Sequence, residues 1–96
     1  MKHNLYSVYD LKALSHGALF TAVNDATAKR SVAGAMSPGS VLGLYPADFR
    51  LMVHGVYDDL TGVLAPLTVP GLVCDLIALQ ELAVSGIKDT QLTKKE

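Results

Sequence analysis

Between Asp48 and Pro66 the chain reads DFRLMVHGVYDDLTGVLAP, and this stretch constrains the fold more than any other. Phe49, Leu51, Val53 and Tyr57 recur at every second position, with Gly55 in the same register. That is the period of a strand with one buried face. Asp58-Asp59-Leu60-Thr61-Gly62 follows with turn chemistry. Aspartate side chains bond their own downstream backbone, and Gly62 accepts the positive φ of a bulged hairpin loop. Val63-Leu64-Ala65 resumes the strand until Pro66, which lacks an N–H for the ladder and so ends it or keeps it at an edge. A lone hairpin is marginal in water, so the rest of the chain must cover it.

Leu5 to Tyr9 is rich in β-formers and predicts a first strand. Asp10 to Gly17 reads as a turn of helix or an irregular connection, and Ala18 to Val23 as a second, short extended segment. Asn24 is a good N-cap, with Asp25 suited to the positive end of the helix it opens. Ala28, Val32, Ala35 and Met36 then share one helical face, and Pro38 forces an end by Ser37. Ser40 to Tyr45 reads as loose turns that lay Val41, Leu44 and Tyr45 on the core. Val69-Pro70-Gly71 reads as a linker, and Leu72 to Ser85 as a second helix with a stripe of Leu72, Leu76, Leu79 and Ala83. Gly86 is its stop, and the polar tail 88–96 is expected to fray. The order β-β-α-β-β-α predicts an α+β fold: a two-layer sandwich of about four antiparallel strands and two helices, one domain over 1–87.

Composition narrows the function. Ninety-six residues with a formal charge of −1 lack the strongly basic face of a generic polyphosphate binder, though a local basic patch remains open. The apolar half is mostly small and aliphatic. Cys74 stands alone, so no internal disulfide forms, and its apolar neighbours predict a reduced, buried thiol. No secretory signal is visible, and Pro66, Pro70, Asp75, Gln80 and Glu81 interrupt the most apolar stretch. The expectation is a soluble intracellular protein.

His3, His16, His54 and Cys74 are scattered without ligand spacing, so no metal or other cofactor is expected. Asp58 and Asp59 are adjacent; on a strand they would face opposite ways and could not share a proton. There is no nucleophile elbow, P-loop or dinucleotide fingerprint. An enzyme is not expected. Opposite the core set of the third strand lie Arg50, Met52, His54 and Val56. With Tyr6 from a neighbouring strand, Arg50 and His54 would form a small platform for phosphate and stacked bases, and Lys29 and Arg30 would add charge. An ordinary solvated face, or one covered by the second helix, is the competing account. Self-association through that helix or a sheet edge is a third.

Four ordered blocks carry a family resemblance: Tyr6 to Ala13 (YSVYDLKA), Asn24 to Ser31 (NDATAKRS), Tyr45 to Leu51 (YPADFRL) and Gly55 to Gly62 (GVYDDLTG). Together they resemble the small non-structural protein of gokushoviruses, the single-stranded-DNA microviruses of bacteria. Ala18 and Val32 stand where relatives tend to be more aromatic, and the segment from Leu72 to Glu96 has no counterpart in the resemblance. The resemblance implies a protein of the infected bacterial cytoplasm, absent from the mature shell and without catalytic residues. It would act at the switch to making and packaging single-stranded circles. Its implied partners are single-stranded DNA, the replication initiator or the procapsid. A homodimeric interaction module and a minor structural or scaffolding component of the virion are the alternatives.

Overall fold

The computed structural model describes residues 1–80. Five strands form one antiparallel sheet among them: β1 (Lys2–Asp10), β2 (Ser15–His16), β3 (Phe20–Ala22), β4 (Phe49–Asp58) and β5 (Leu64–Asp75). The order across the sheet is β2-β1-β4-β5, with β3 also paired to β1. Helix α1 (Asp25–Ala35) and the short α2 (Val41–Leu44) lie between β3 and β4, and residues 76–80 are helical. The fold is therefore α+β, as the sequence predicts.

The alternating stretch folds back on itself. Tyr57 pairs with Leu64 across a turn in which Leu60 N–H donates to the Asp58 carboxylate and Gly62 N–H to the Asp58 carbonyl. Gly62 takes a φ of +75°, the left-handed region that favours glycine. Asn24 caps α1: its side-chain oxygen accepts from Thr27 N–H at 2.8 Å, one of the orphan donors of a helix start. Tyr6, Val8, Leu51 and Val53 project from one face of β1 and β4. Ala28 and Val32 of α1, Leu42 of α2, and Leu76 and Leu79 pack on that face. Leu51 has no exposed surface, a burial that stabilises by about 2 kcal/mol.

Several expectations change. The segment read as a helical turn or irregular connection contains β2, whose two residues pair with Tyr9 and Asp10. Asp10 itself holds that turn, its carboxylate accepting from the N–H groups of Lys12 and Ala13. Val41, Leu44 and Tyr45 are exposed rather than packed, and Leu42 takes their place against the core. Cys74 is only half-buried.

The largest change concerns β5. Pro66 does not end it, Val69-Pro70-Gly71 is not a linker, and Leu72 to Asp75 are not helical. Gly71, Leu72, Cys74 and Asp75 pair with Val53, Met52, Leu51 and Arg50, so the ladder on β4 overrides a helical stripe that local sequence alone supports. The prolines are tolerated because β5 is an edge strand. The second helix starts at residue 76. Its predicted continuation to Ser85, the stop at Gly86 and the tail 88–96 lie outside the described residues.

A bulge resets the faces of the sheet. Tyr6 pairs with Val53 and Leu5 with Gly55, which leaves His54 as an extra residue on β4. Beyond it, Asn4 pairs with Val56 and His3 with Tyr57. Directly paired residues share a face, so Val56 moves to the core side and Tyr57 to the other, the reverse of strict alternation. Gly55 is required here: its φ is +155°, and a Cβ would stand 2.5 Å from the Ala65 carbonyl oxygen.

Candidate nucleic-acid interface

On the face away from α1, two imidazoles converge on one hydroxyl. Ser7 has no exposed surface, and its Oγ lies 2.8 Å from His16 Nδ1 and 2.7 Å from His54 Nε2. Three separate decisions of the chain bring them together. Ser7 alternates out of the core between Tyr6 and Val8, β2 returns His16 beside Tyr9, and His54 alternates to this side of β4 after Met52, at the point where the bulge begins. A serine hydroxyl carries one proton, so at least one imidazole must donate its N–H to Oγ. The two rings meet edge to face with centroids 5.0 Å apart. Burial pushes the His54 imidazole below the ordinary histidine value of 6.5, and the neighbouring His16 adds to the same direction.

Beside this cluster lies an open hollow of ≈ 250 Å³, lined by Tyr9, His16, Arg50, Met52, Val69 and Pro70. Tyr9 and Arg50 are cross-strand partners, and the Tyr9 and His16 rings are 4.7 Å apart at an angle of 58°. Arg50 Nε donates to the Asp75 carboxylate at 3.1 Å across the β4–β5 ladder. Both side chains are about half exposed, so this pair adds little stability. It does lower the local positive charge.

Val69 and Pro70 reach the hollow because β5 carries surplus chain. Gly55 pairs with Pro66 and Val53 with Gly71, so residues 67–70 stand opposite His54 alone. All four are exposed.

Of the residues read as a surface, Arg50 and His54 do share this face. Tyr6 does not. Its pairing with Val53 puts it on the core side, fully buried and stacked on Phe20, its hydroxyl donating to Asp25 at 2.7 Å and accepting from Asn4 at 3.0 Å. Burial raises its phenol above the ordinary value, and Asp25 reinforces the shift. Lys29 and Arg30 belong to α1, which packs on the opposite face through Ala28 and Val32, so they add no charge beside Arg50. Lys29 instead acts on Cys74, opposing the upward push that burial gives the thiol. Sequence reasoning missed Ser7, Tyr9 and His16. The alternation of Ser7 and Tyr9 along β1 was visible, but the two-residue strand that delivers His16 has no periodic signal.

Asp59 is bound elsewhere, to the Met1 amine at 2.6 Å and to His3 at 2.8 Å. Among the described residues no group of three or more His, Cys, Asp or Glu is placed to hold a metal ion. No helix among them is long and apolar enough to cross a membrane.

A model of the family described as Phage ORF5 protein matches residues 3–79, from the first residues of β1 into the helix after β5. The chain belongs to the Phage ORF5 family. The match takes in every element that builds the hollow and the Ser7 cluster. It also takes in Leu72 to Leu79, within the segment from Leu72 to Glu96 that has no counterpart in the gokushovirus resemblance. No curated protein and no solved structure matches the chain.

Proposed function

We propose that this Phage ORF5 protein is a non-enzymatic accessory factor of a gokushovirus-type phage. In this reading it binds single-stranded DNA in the host cytoplasm, in support of single-strand synthesis or packaging. One observation carries the reading: Tyr9, His16 and Arg50 gather around a hollow on the sheet face that no described helix covers. Flat aromatic and guanidinium groups in one hollow suit the faces of unpaired bases. Family membership supports a phage setting.

The charge pattern favours stacking over phosphate capture. The net charge is −1, and Arg50 already faces Asp75. Single-strand binding loses about 0.7 in log K per decade of salt for each phosphate neutralised, so one or two contacts give a shallow slope. The test is titration of labelled single- and double-stranded DNA at two salt concentrations while the mass of the complex is recorded. Preferential single-strand binding with a shallow slope is expected, weakened by Arg50→Ala and unchanged by joint replacement of Lys29 and Arg30. Absence of single-strand binding at low salt would remove the reading.

A second reading rests on the exposed edge. Leu64, Leu67, Val69 and Leu72 of β5 are all about half or more exposed on a strand with no charged residue before Asp75. Such an edge suits association with another copy of the chain, although Pro66 and Pro70 remove two backbone donors from it. The same mass measurement separates a homodimeric interaction module from a monomer.

A further inference from the structure

We infer that the hollow beside Ser7 is a slot for one unpaired nucleobase, and that residues 67–70 of β5 form its rim. This rests on the single-strand reading above and says how discrimination against duplex would arise. A flat sheet surface carrying Tyr9 and Arg50 would bind strands loosely. Here the surplus residues of β5 leave the ladder opposite His54 and bring Val69 and Pro70 to the same hollow as Tyr9, His16, Arg50 and Met52.

Size selects the ligand. At ≈ 250 Å³ the hollow is smaller than the roughly 300 Å³ at which sites for drug-sized molecules begin, so it suits one flat heterocycle. A base inside a duplex must leave its stack and its partner before it can enter, whereas a base in a single strand is already free.

The lining suits a base as well. Tyr9 and His16 are inclined by 58°, so a ring stacked on one presents its edge to the other. Met52 contributes a polarisable thioether, and Val69 with Pro70 supplies apolar rim contacts. The Arg50 guanidinium gives a planar cation for a base face or an adjacent phosphate.

Ser7 is a positioning residue in this arrangement. It is buried beneath the site and bonds Nδ1 of His16 while His54 bonds the same oxygen. His16 itself is exposed on a two-residue strand, so this bond fixes the orientation of its ring.

The test compares an oligothymidylate with an abasic oligonucleotide of equal length, which keeps the phosphates and lacks the bases. Fluorescence anisotropy at low salt gives the affinities. The intact protein is expected to bind the abasic strand at least tenfold more weakly, since each stacked base carries about that factor. Tyr9→Ala is expected to abolish the difference, and Tyr9→Phe, which keeps the ring, to retain it. His16→Ala, at an exposed position, provides a second variant should Tyr9→Ala fail to fold. Ser7→Ala is expected to narrow the difference between the two strands while leaving abasic affinity unchanged. Equal affinity of the intact protein for both strands would overturn the slot and leave single-strand binding standing. Loss of binding to both would overturn the reading beneath it as well.

Discussion

The Ser7 hydroxyl, with no exposed surface, lies 2.7 Å from Nε2 of His54. His54 is the residue that the β4 bulge adds to the strand, so the bond ties an irregularity of the sheet to a fully buried serine. His16 bonds the same oxygen from the far side of β1. Three strands are thus joined through one side chain.

Replacing Ser7 with alanine removes both bonds and opens little space. A typical intramolecular hydrogen bond contributes about 1 kcal/mol, and both imidazoles keep partial access to water. Ser7→Ala is expected to lower stability by about 1–2 kcal/mol in urea unfolding. In NMR spectra the His16 and His54 side-chain resonances should both shift. A change confined to one histidine would contradict the shared oxygen.

The pH dependence has a definite sign at His54. Its folded pKa lies below its unfolded value, so the unfolded chain binds the proton first. The stability from neutral His54 is full above the unfolded value of about 6.5 and falls as pH drops through the lower folded value. Unfolding free energy should therefore decline on acidification from pH 7, and His54→Gln should flatten that limb. Asp59 behaves in the same sense at lower pH. The Met1 amine and then His3 hold its carboxyl below 3.8, so its contribution is present above that value and lost below it. Asp59→Asn should remove this lower limb alone.

Two glycines should respond oppositely to alanine. At Gly55 the φ of +155° is unfavourable for a side chain, and the new Cβ would meet backbone of Ala65 and Pro66 at 2.5 and 2.7 Å. Gly55→Ala is expected to cost about 2 kcal/mol or more. Gly34 is an exposed residue within α1 and a Cβ there meets nothing within 4 Å. Gly34→Ala should stabilise by about 0.5–1 kcal/mol through helix propensity. Thermal melts of the pair suffice, and a stabilising Gly55→Ala would refute the bulge geometry.

Tyr6 separates folding from binding. Tyr6→Phe removes the bonds to Asp25 and Asn4, at about 1–2 kcal/mol of stability, and keeps the ring stacked on Phe20. Single-strand affinity should not change, because Tyr6 faces the core. Reduced affinity in a folded Tyr6→Phe protein would return Tyr6 to the platform that the sequence reading built with Arg50 and His54.

The hairpin from Phe49 and the helix from Asp25 were legible in the sequence because each rests on short-range physics. An aspartate–glycine turn, an asparagine cap and a repeating apolar period are written within a few residues of one another. Arg50 and His54 were legible for the same reason, as every-second-residue neighbours on one strand. β5 was not. Leu72, Leu76 and Leu79 fit a helical stripe, and only the vacant edge of β4 makes Leu72 to Asp75 a strand.

What the sequence alone determined, then, is the α+β class, the β4 hairpin and α1, since local bonding and burial periodicity decide them. Tertiary structure decided the placement of Tyr6, the pairing of His16 with His54 through Ser7, and the rim at Val69 and Pro70. The first two depend on which strands pair and in what register, and the rim on how many residues one strand places opposite another. One extra residue on β4 against β1, and four residues of β5 opposite the single His54, set the pairing beyond the bulge and the rim, and those counts exist only once the strands have paired.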